Sequence, residues 1–419
     1  MRLLLIHQAF STPDEGGGTR HYEFARHGRE RGVDVTVVAG DASYLTGAGT
    51  GRGPASEEHV DGVRVLRAYT LKTLHKSFVW RVGAFLSFMA TSFWAAMRSG
   101  PCEIVMGTTP PIFQAGSAWL VARLRRRPFL LEVRDLWPEF AIDMGVLTNP
   151  LLIRLSRWLE RFLYSRADHI LVNSPAYRDY LIRRKGIDPA KVTLIPNGVD
   201  PGMFEPGASG EGIREEFGLG EKFVVTYAGA LGPANDIYTI LRAAETLRDR
   251  PAVHFLLLGD GKERPALEAW AADRHLTNVT FAGKQPKRRV ARSLAASDAC
   301  VATLKPIPMF TTTYPNKVFD YMAAGRPTLL AIDGVIREVL DAAGGGVFVP
   351  PGDHAALAAA AGRLHDDPAA AEAMGRRARE YVCAHFNRRD QAEQFVHLVT
   401  ALASGQRDRL LTEEGPACR

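Results

Sequence analysis

Cysteine is scarce in this chain: four in 419 residues, at Cys102, Cys300, Cys383 and Cys418. None stands at disulfide-framework or zinc-ligand spacing from another, which argues against both and suits reduced thiols in a cytosolic compartment. Asp-x-Asp does not occur at all. A carboxylate pair able to hold a divalent ion on a diphosphate is therefore missing, and no metal or other cofactor is expected. The dinucleotide fingerprint G-x-G-x-x-G fails twice. After Gly16-Gly17-Gly18 the third glycine position holds His21, and after Gly259-Asp260-Gly261 it holds Arg264. The opening MRLLLIHQAF has an apolar run too short for a secretion signal and reads as a first strand. No short internal repeat stands out.

What is present is an α/β pattern, run twice. Apolar residues make up 46% and charged residues 23% of a chain too long for one ordinary core. Short apolar runs read as strands near Leu3–Ile6, Val35–Val38, Val63–Leu66, Ile104–Met106, Phe129–Val133, Ile170–Val172 and Val192–Ile195. Helical stretches such as Thr19–Arg31 and Pro150–Arg166 separate them. Continuous apolar strands alternating with helices predict a parallel sheet covered on both faces. Pro196-Asn197-Gly198, followed by Pro201, Pro206, Gly207 and Gly210, marks a linker. The pattern then restarts at Phe223–Tyr227, Val253–Leu258, Val279–Phe281, Cys300–Thr303, Thr328–Ala331 and Val347–Val349. The expectation is two Rossmann-like domains, 1–198 and 199–385, with a ligand cleft beyond the strands' carboxyl ends. The tail after about Ser404 reads as frayed.

Charge is uneven. Residues 1–200 hold 26 Lys+Arg against 19 Asp+Glu, whereas 201–419 hold 26 against 27. A basic first half suits an anionic partner such as a membrane surface, a phosphorylated acceptor or nucleic acid; a solvated basic face is the plain alternative. Within it, Phe78–Met97 is a long apolar stretch with Arg81 as its one charge. Ser87, Thr91 and Ser92 weaken a membrane span, and a span would split the first sheet. The stretch reads either as a core helix or as a helix resting on a membrane, with Lys72, Lys76 and Arg81 toward anionic lipid.

Three places carry chemistry. Gly16-Gly17-Gly18 follows the first strand, where glycine lets a backbone approach a ligand and a helix start offers N–H groups to an anion. Tyr314-Pro315-Asn316-Lys317-Val318-Phe319-Asp320-Tyr321-Met322-Ala323-Ala324-Gly325 has proline at a helix start and glycine at its stop. Lys317 at that start suits a phosphate, and Asp320, about 5 Å further along the axis, suits the two hydroxyls of a ribose. A plain Lys317–Asp320 surface pair is the alternative. Arg134-Asp135-Leu136-Trp137-Pro138-Glu139 follows a strand end. There Asp135 or Glu139 could position an acceptor hydroxyl or take its proton, or Asp135 could merely cap a turn.

On the segments EGGGTRHYEFARHGRERGVDVTVV, LEVRDLWPE, IPNGVD, LLGDGKER and YPNKVFDYMAAGRPTLL, the chain resembles retaining glycosyltransferases of family 4. It is most similar to the fucosamine-type transferases of colanic-acid and O-antigen assembly. The resemblance runs from about Leu3 to Ala401. It implies a GT-B fold: an acceptor domain, a nucleotide-sugar domain, and a last helix, within about 386–403, that crosses back onto the first domain. It implies a bacterial hexosyl- or N-acetylhexosaminyl-type transferase that uses a UDP-sugar with retention, needs no metal, and builds a cell-surface polysaccharide or glycolipid. Donor residues are then Gly229, Gly259, Gly261, Lys284, Lys305, Pro315, Asn316, Lys317 and Asp320. Acceptor residues are Gly17, Gly18, Arg134, Asp135 and Glu139, and Lys317 and Asp135 carry catalysis. The partners implied are a nucleotide sugar and a saccharide, lipid-linked or small-molecule acceptor, with no nucleic acid. The expected location is cytoplasmic, with the membrane's inner face as the alternative where residues 72–97 touch it.

Three positions depart from that family's pattern. The first acid of its Glu-x7-Glu motif falls at Thr312, the usual Gly-Arg reads Gly229-Ala230, and the usual lysine falls near Asn235. The departures leave two rivals open: an epimerase of the same fold, or a non-catalytic partner.

Overall fold

Leu3, Leu4, Leu5 and Ile6 are all buried, so the first strand has protein on both faces. That is the environment of the centre of a parallel sheet. A computed structural model of the chain describes residues 1–41, 56–72, 78–205 and 210–406. Lys76, Pro206, Gly207 and Cys418 lie outside the described residues. The chain divides into two units: Met1–Phe10, Thr19–Pro196 and Arg389–Arg419 form one, Ser11–Gly18 and Asn197–Arg388 the other. The boundary falls inside the Pro196-Asn197-Gly198 turn. Residues 11–18, which the sequence reading placed in the first domain, belong to the second unit.

The first unit runs β1 (Arg2–Ile6), α1 (Arg20–Arg29), β2 (Asp34–Gly40), β3 (Glu57–Val60), β4 (Val63–Ala68), α2 (Phe78–Arg98), β5 (Ile104–Thr109), α3 (Ile112–Arg125), β6 (Phe129–Val133), α4 (Glu139–Asp143), α5 (Pro150–Arg166), β7 (His169–Val172), α6 (Pro175–Lys185) and β8 (Val192–Leu194). Its sheet has the order β3-β4-β2-β1-β5-β6-β7-β8. Every pairing is parallel except β3 with β4. β3 was not expected. Its EEHV alternates exposed and partly exposed residues and offers no apolar run. Its signal was the turn: Asp61 and Gly62 take φ of 49° and 81°, the pair of positive values a two-residue hairpin needs.

The second unit runs α7 (Glu211–Glu216), β9 (Phe223–Ala228), α8 (Ile237–Thr246), β10 (Val253–Leu258), α9 (Arg264–Asp273), β11 (Val279–Gly283), α10 (Lys287–Ala295), β12 (Ala299–Thr303), α11 (Asn316–Ala323), β13 (Thr328–Ala331), α12 (Val335–Ala343), β14 (Gly346–Phe348), α13 (His354–Asp366) and α14 (Pro368–His385). Its sheet is all parallel, in the order β11-β10-β9-β12-β13-β14. The last helix, α15 (Arg388–Ala403), returns to the first unit. There Phe395 stacks on Phe24 at 4.8 Å, and Leu398, Val399 and Leu402 join the core around Leu3, Val37 and Ile104.

Both sheets reverse their winding at one point, between β1 and β5 in the first and between β9 and β12 in the second. Such a reversal leaves a crevice at the strands' carboxyl ends, where ligands of open parallel sheets bind. The polar residues singled out in the sequence cluster at these two ends.

Candidate functional site

At the second unit's reversal the backbone closes in tightly. Gly229 follows β9 and donates to the Leu258 carbonyl at 2.9 Å; Gly259 follows β10 and donates to the Gly283 carbonyl at 2.8 Å. Gly259 has φ +143°, and a Cβ there would lie 1.8 Å from the Gly229 carbonyl oxygen. A Cβ on Gly229 would lie 2.9 Å from the Tyr227 hydroxyl and 3.1 Å from the Lys317 ammonium. Gly259 admits no side chain, and one at Gly229 would press on the Tyr227 hydroxyl and the Lys317 ammonium. Gly261 packs equally close to the Leu231 backbone.

Lys317 projects from the first turn of α11 into this floor. Its Nζ donates to the Tyr227 hydroxyl and to Asn235 Oδ1, both at 2.8 Å, and lies 4.3 Å from the centre of the Tyr227 ring. Although the residue keeps some solvent exposure, desolvation of its ammonium pushes the pKa from the ordinary lysine range down to about 7. No carboxylate bonds it among the described residues. The Lys317–Asp320 surface pair, the plain alternative from the sequence, does not form. Asn235 stands near the usual family lysine, and here its amide oxygen holds Lys317 instead. Thr303, at the end of β12, donates to the Asn235 carbonyl at 2.5 Å and fixes that loop. Lys305 is anchored by its N–H to the Ala234 carbonyl at 3.0 Å.

Pro315 sits just before the helix rather than in its first turn, and α11 starts at Asn316. Proline has no side-chain acceptor, so the first amides of α11 keep their capacity for an external anion. Asn197, from IPNGVD, donates to the Tyr314 carbonyl at 2.6 Å and holds the approach to the helix.

Asp320 lies one turn on and is almost fully buried. It is engaged by Lys287, the first residue of α10, in a close ion pair. Thirty-three positions separate the two, and the sequence reading did not single out Lys287. Lys284 is exposed in the turn before it. Gly17 and Gly18, expected at an acceptor site, belong instead to this unit. A Cβ on the adjoining Gly16 would lie 2.9 Å from the Lys284 side chain, and one on Gly18 would lie 3.6 Å from the Asn316 amide. The glycine loop therefore runs beside Lys284 and Asn316.

The first unit's reversal is lined by charge. Glu132, in the middle of β6, is fully buried. It accepts from Arg20 Nε at 2.9 Å and pairs with His21 Nε2 at 2.5 Å. Burial alone would raise its carboxyl; His21 and Arg20 more than reverse this and hold it well below the usual carboxylate range. Arg20 also donates to the Pro196 and Ile195 carbonyls, each at 2.7 Å. His7, directly after β1, packs its ring 4.4 Å from His21, and burial keeps it neutral. The signal for this cluster was an acid inside an otherwise apolar strand, FLLEV.

Arg134 leaves β6 and donates from Nε to the Thr109 carbonyl at 3.2 Å, spanning the ends of β5 and β6. Burial raises the Asp135 carboxyl to about 6, partly offset by Arg134 and by a hydrogen bond from Tyr177. A group poised so near neutrality at a strand end is suited to proton handling or to orienting a hydroxyl. Glu139 is differently placed. It opens α4 and is gripped by Arg157 through both oxygens, at 3.0 and 2.9 Å. Its carboxylate is thereby committed to tying α4 to α5. No group of three or more His, Cys, Asp or Glu side chains among the described residues could hold a metal ion.

Comparison with known proteins matches this geometry to two domain families. Residues 15–198 match a glycosyl transferase 4-like domain and residues 222–367 match the glycosyl transferases group 1 domain. The chain is 29% identical over 198 residues to a D-inositol 3-phosphate glycosyltransferase of Mycobacteroides abscessus, covering 46% of this chain and 43% of that protein. It is 24% identical over 262 residues to the putative colanic acid biosynthesis glycosyl transferase WcaI of Escherichia coli K12, covering 61% and 62%. Each match thus spans less than two thirds of the relative. Its fold is that of Anabaena Alr3699/HepE, solved in complex with UDP-glucose, at a TM-score of 0.72 and 17% identity over 96% of this chain and 100% of that one. Two Rossmann-like units, each with its polar residues gathered where its parallel sheet reverses, give the chain the GT-B fold, and two glycosyl transferase domains match it in series.

Proposed function

We propose that the protein transfers a sugar from a nucleotide diphosphate sugar to an acceptor hydroxyl. The observation that carries this is the placement of Lys317 and Asp320 one turn apart on one helix at the floor of the second sheet's reversal. Lys317 and the open amides of α11 provide positive potential for a diphosphate. Asp320, one turn on, provides a carboxylate for the ribose. The ribose hydroxyls compete there with Lys287 for the same oxygens. A UDP-sugar is the donor we favour, since HepE is solved with UDP-glucose on the same fold.

The acceptor belongs to the first unit, where Arg134 and Asp135 supply a fixed charge and a carboxylate near neutrality. The names of both relatives suit a polar or anionic acceptor: one is a D-inositol 3-phosphate glycosyltransferase, the other a putative glycosyl transferase of colanic acid biosynthesis. Retention follows from the family resemblance. A double displacement needs a nucleophile on the sugar's far face, and no motif in the sequence clearly supplies one. A front-face route asks less of the protein: the departing phosphate takes the acceptor proton while Lys317 holds the developing charge. Asp135 then orients the acceptor. The absence of Asp-x-Asp motivates a metal-independent reaction.

The test is a thermal-shift screen against UDP-, GDP- and dTDP-sugars, because a ligand that binds only the folded state raises its apparent stability. One nucleotide class should stabilise the wild type and fail to stabilise Lys317→Ala. Equal stabilisation of both would overturn the assignment. Product stereochemistry is read from the anomeric coupling constant by proton NMR, and an inverted product would reject retention. Loss of turnover after metal stripping, restored by magnesium or manganese, would reject metal independence.

A further inference from the structure

Among the described residues, every large apolar side chain that is exposed lies between Tyr69 and Trp158 in the first unit. Most of them sit on three helices that pack side by side over one face of its sheet. α2 meets α3 where Ser117 Oγ donates to the Met89 carbonyl at 2.6 Å and Phe85 stacks on Phe113. α3 meets α5 through Trp119 against Phe162 at 4.8 Å. Trp80 and Trp94 on α2, Leu124 on α3, and Leu151, Leu155 and Trp158 on α5 point away from the protein, with exposures from 53% to 71%.

On α5 the three apolar residues recur at i, i+4 and i+7 and form one row along the helix. Arg154 and Arg161 run beside it, exposed. On α2 the exposed described positions are Trp80, Leu86, Ala90 and Trp94, with Arg98 as the one exposed charge, at the helix end.

The charge on these helices has one sign. α2, α3 and α5 together contain eight arginines and one acid, Glu160. Glu160 is fully buried and bonded to Lys185 at 2.6 Å, so it is not at the surface. Arg123, Arg154 and Arg161 are exposed and have no carboxylate partner among the described residues. An apolar surface with tryptophan at both ends of α2 and only cations at its margins is that of a helix layer lying in a membrane interface. A second copy docked on the same face would bring these arginines against themselves, which is repulsive. No described helix is long and apolar enough to cross a membrane.

We propose that the α2–α3–α5 face of the first unit is a docking surface for an anionic lipid bilayer, seating the two α2 tryptophans and the Leu151–Leu155–Trp158 row at headgroup depth. This goes beyond the transfer reaction and widens the sequence expectation from one helix to a three-helix face. The basic residues bring the surface in; the apolar rows hold it.

The test uses the full chain and vesicles, without acceptor. Co-sedimentation is expected with phosphatidylglycerol-containing vesicles, with much weaker association to pure phosphatidylcholine and a loss at high salt. Replacing Arg123, Arg154 and Arg161 by Gln should weaken binding about fivefold for each arginine. Trp94→Ser with Leu155→Ser and Trp158→Ser should abolish it at low salt while leaving Tm and nucleotide-induced stabilisation unchanged. These readouts separate failure here from failure of the transferase reading. Absence of binding to anionic vesicles, or binding untouched by both variant sets, would overturn the proposal. Self-association that the triple apolar variant abolishes, without vesicle binding, would assign the face to a second copy instead.

Discussion

The two units share a sheet architecture and differ in where they keep their charge and their apolar surface. The first buries charge, with Arg20, His21 and Glu132 inside it, and exposes tryptophan and leucine. The second keeps its large apolar residues inside and shows no exposed one among the described residues. Its floor holds a lysine on neutral oxygens, with Asp320, one turn along the same helix, already matched to Lys287. The same fold therefore supports two kinds of site. A buried ion cluster ties one sheet end together; at the other, a desolvated cation has no counter-ion among the described residues.

The sharpest way to break this contrast is Glu132→Ala. It leaves Arg20 buried without its carboxylate, and losing one partner of a buried pair costs about 3–5 kcal/mol. Chemical denaturation should show that loss. In the wild type the same contribution is held above the carboxyl's unfolded pKa and declines as pH falls through its lower folded value, because folding then must forgo protonation. A variant within about 0.5 kcal/mol of wild type would show that the cluster is not a support.

Next is Lys317→Ala against Asp135→Asn. Removing one contact that stabilises developing negative charge costs about 10²–10³ in kcat. Lys317→Ala should lose that much and Asp135→Asn less, with KM for the acceptor changed more by the second. The reverse order in steady-state kinetics would move the chemistry to the first unit.

Asp320→Asn should raise KM for the donor by about 10- to 100-fold, since a hydrogen bond to a charged group is worth about 1.5–3 kcal/mol. Unchanged donor affinity in a folded variant would reject the ribose role.

The smallest effect concerns pH. The Lys317 ammonium titrates near 7 in the free protein. A bound diphosphate favours its charged form, so its pKa rises on binding and protons are taken up. Donor affinity is then highest below about pH 7 and falls above it, by at most about tenfold per pH unit for one proton. Calorimetry in buffers of different ionisation enthalpy measures the uptake, and zero uptake at pH 8 would remove Lys317 from the phosphate site.

Strands buried on both faces were legible in the sequence. Phe129–Val133, Val253–Leu258 and Thr328–Ala331 are apolar along most of their length and agree at both ends. β3 was not, because an edge strand with one wet face has only half a pattern and its turn had to be read instead. The GT-B fold and the α11 signature were legible for a similar reason: both are local in sequence. Lys287 was invisible because its partner is 33 positions away. Asn235 was read as the loss of a lysine, whereas in space it positions another one. The Arg20–Glu132 cluster left one trace, an acid in an apolar strand, whose meaning depends on a residue 112 positions earlier. Glu139 looked available because Arg157 lies on the next helix.

The return of α15 to the first unit also sets an order of assembly. During synthesis, Asn197–Arg388 are complete before α15 exists, yet Phe395, Leu398, Val399 and Leu402 belong to the core that begins at Leu3. The unit whose strands are made first is therefore closed last. Until the ribosome delivers α15, Phe24 lacks the Phe395 ring that stacks on it. The nascent chain must hold that open core through the making of an entire second unit, so the last sixteen-residue helix is the step that ends its exposure to wrong partners.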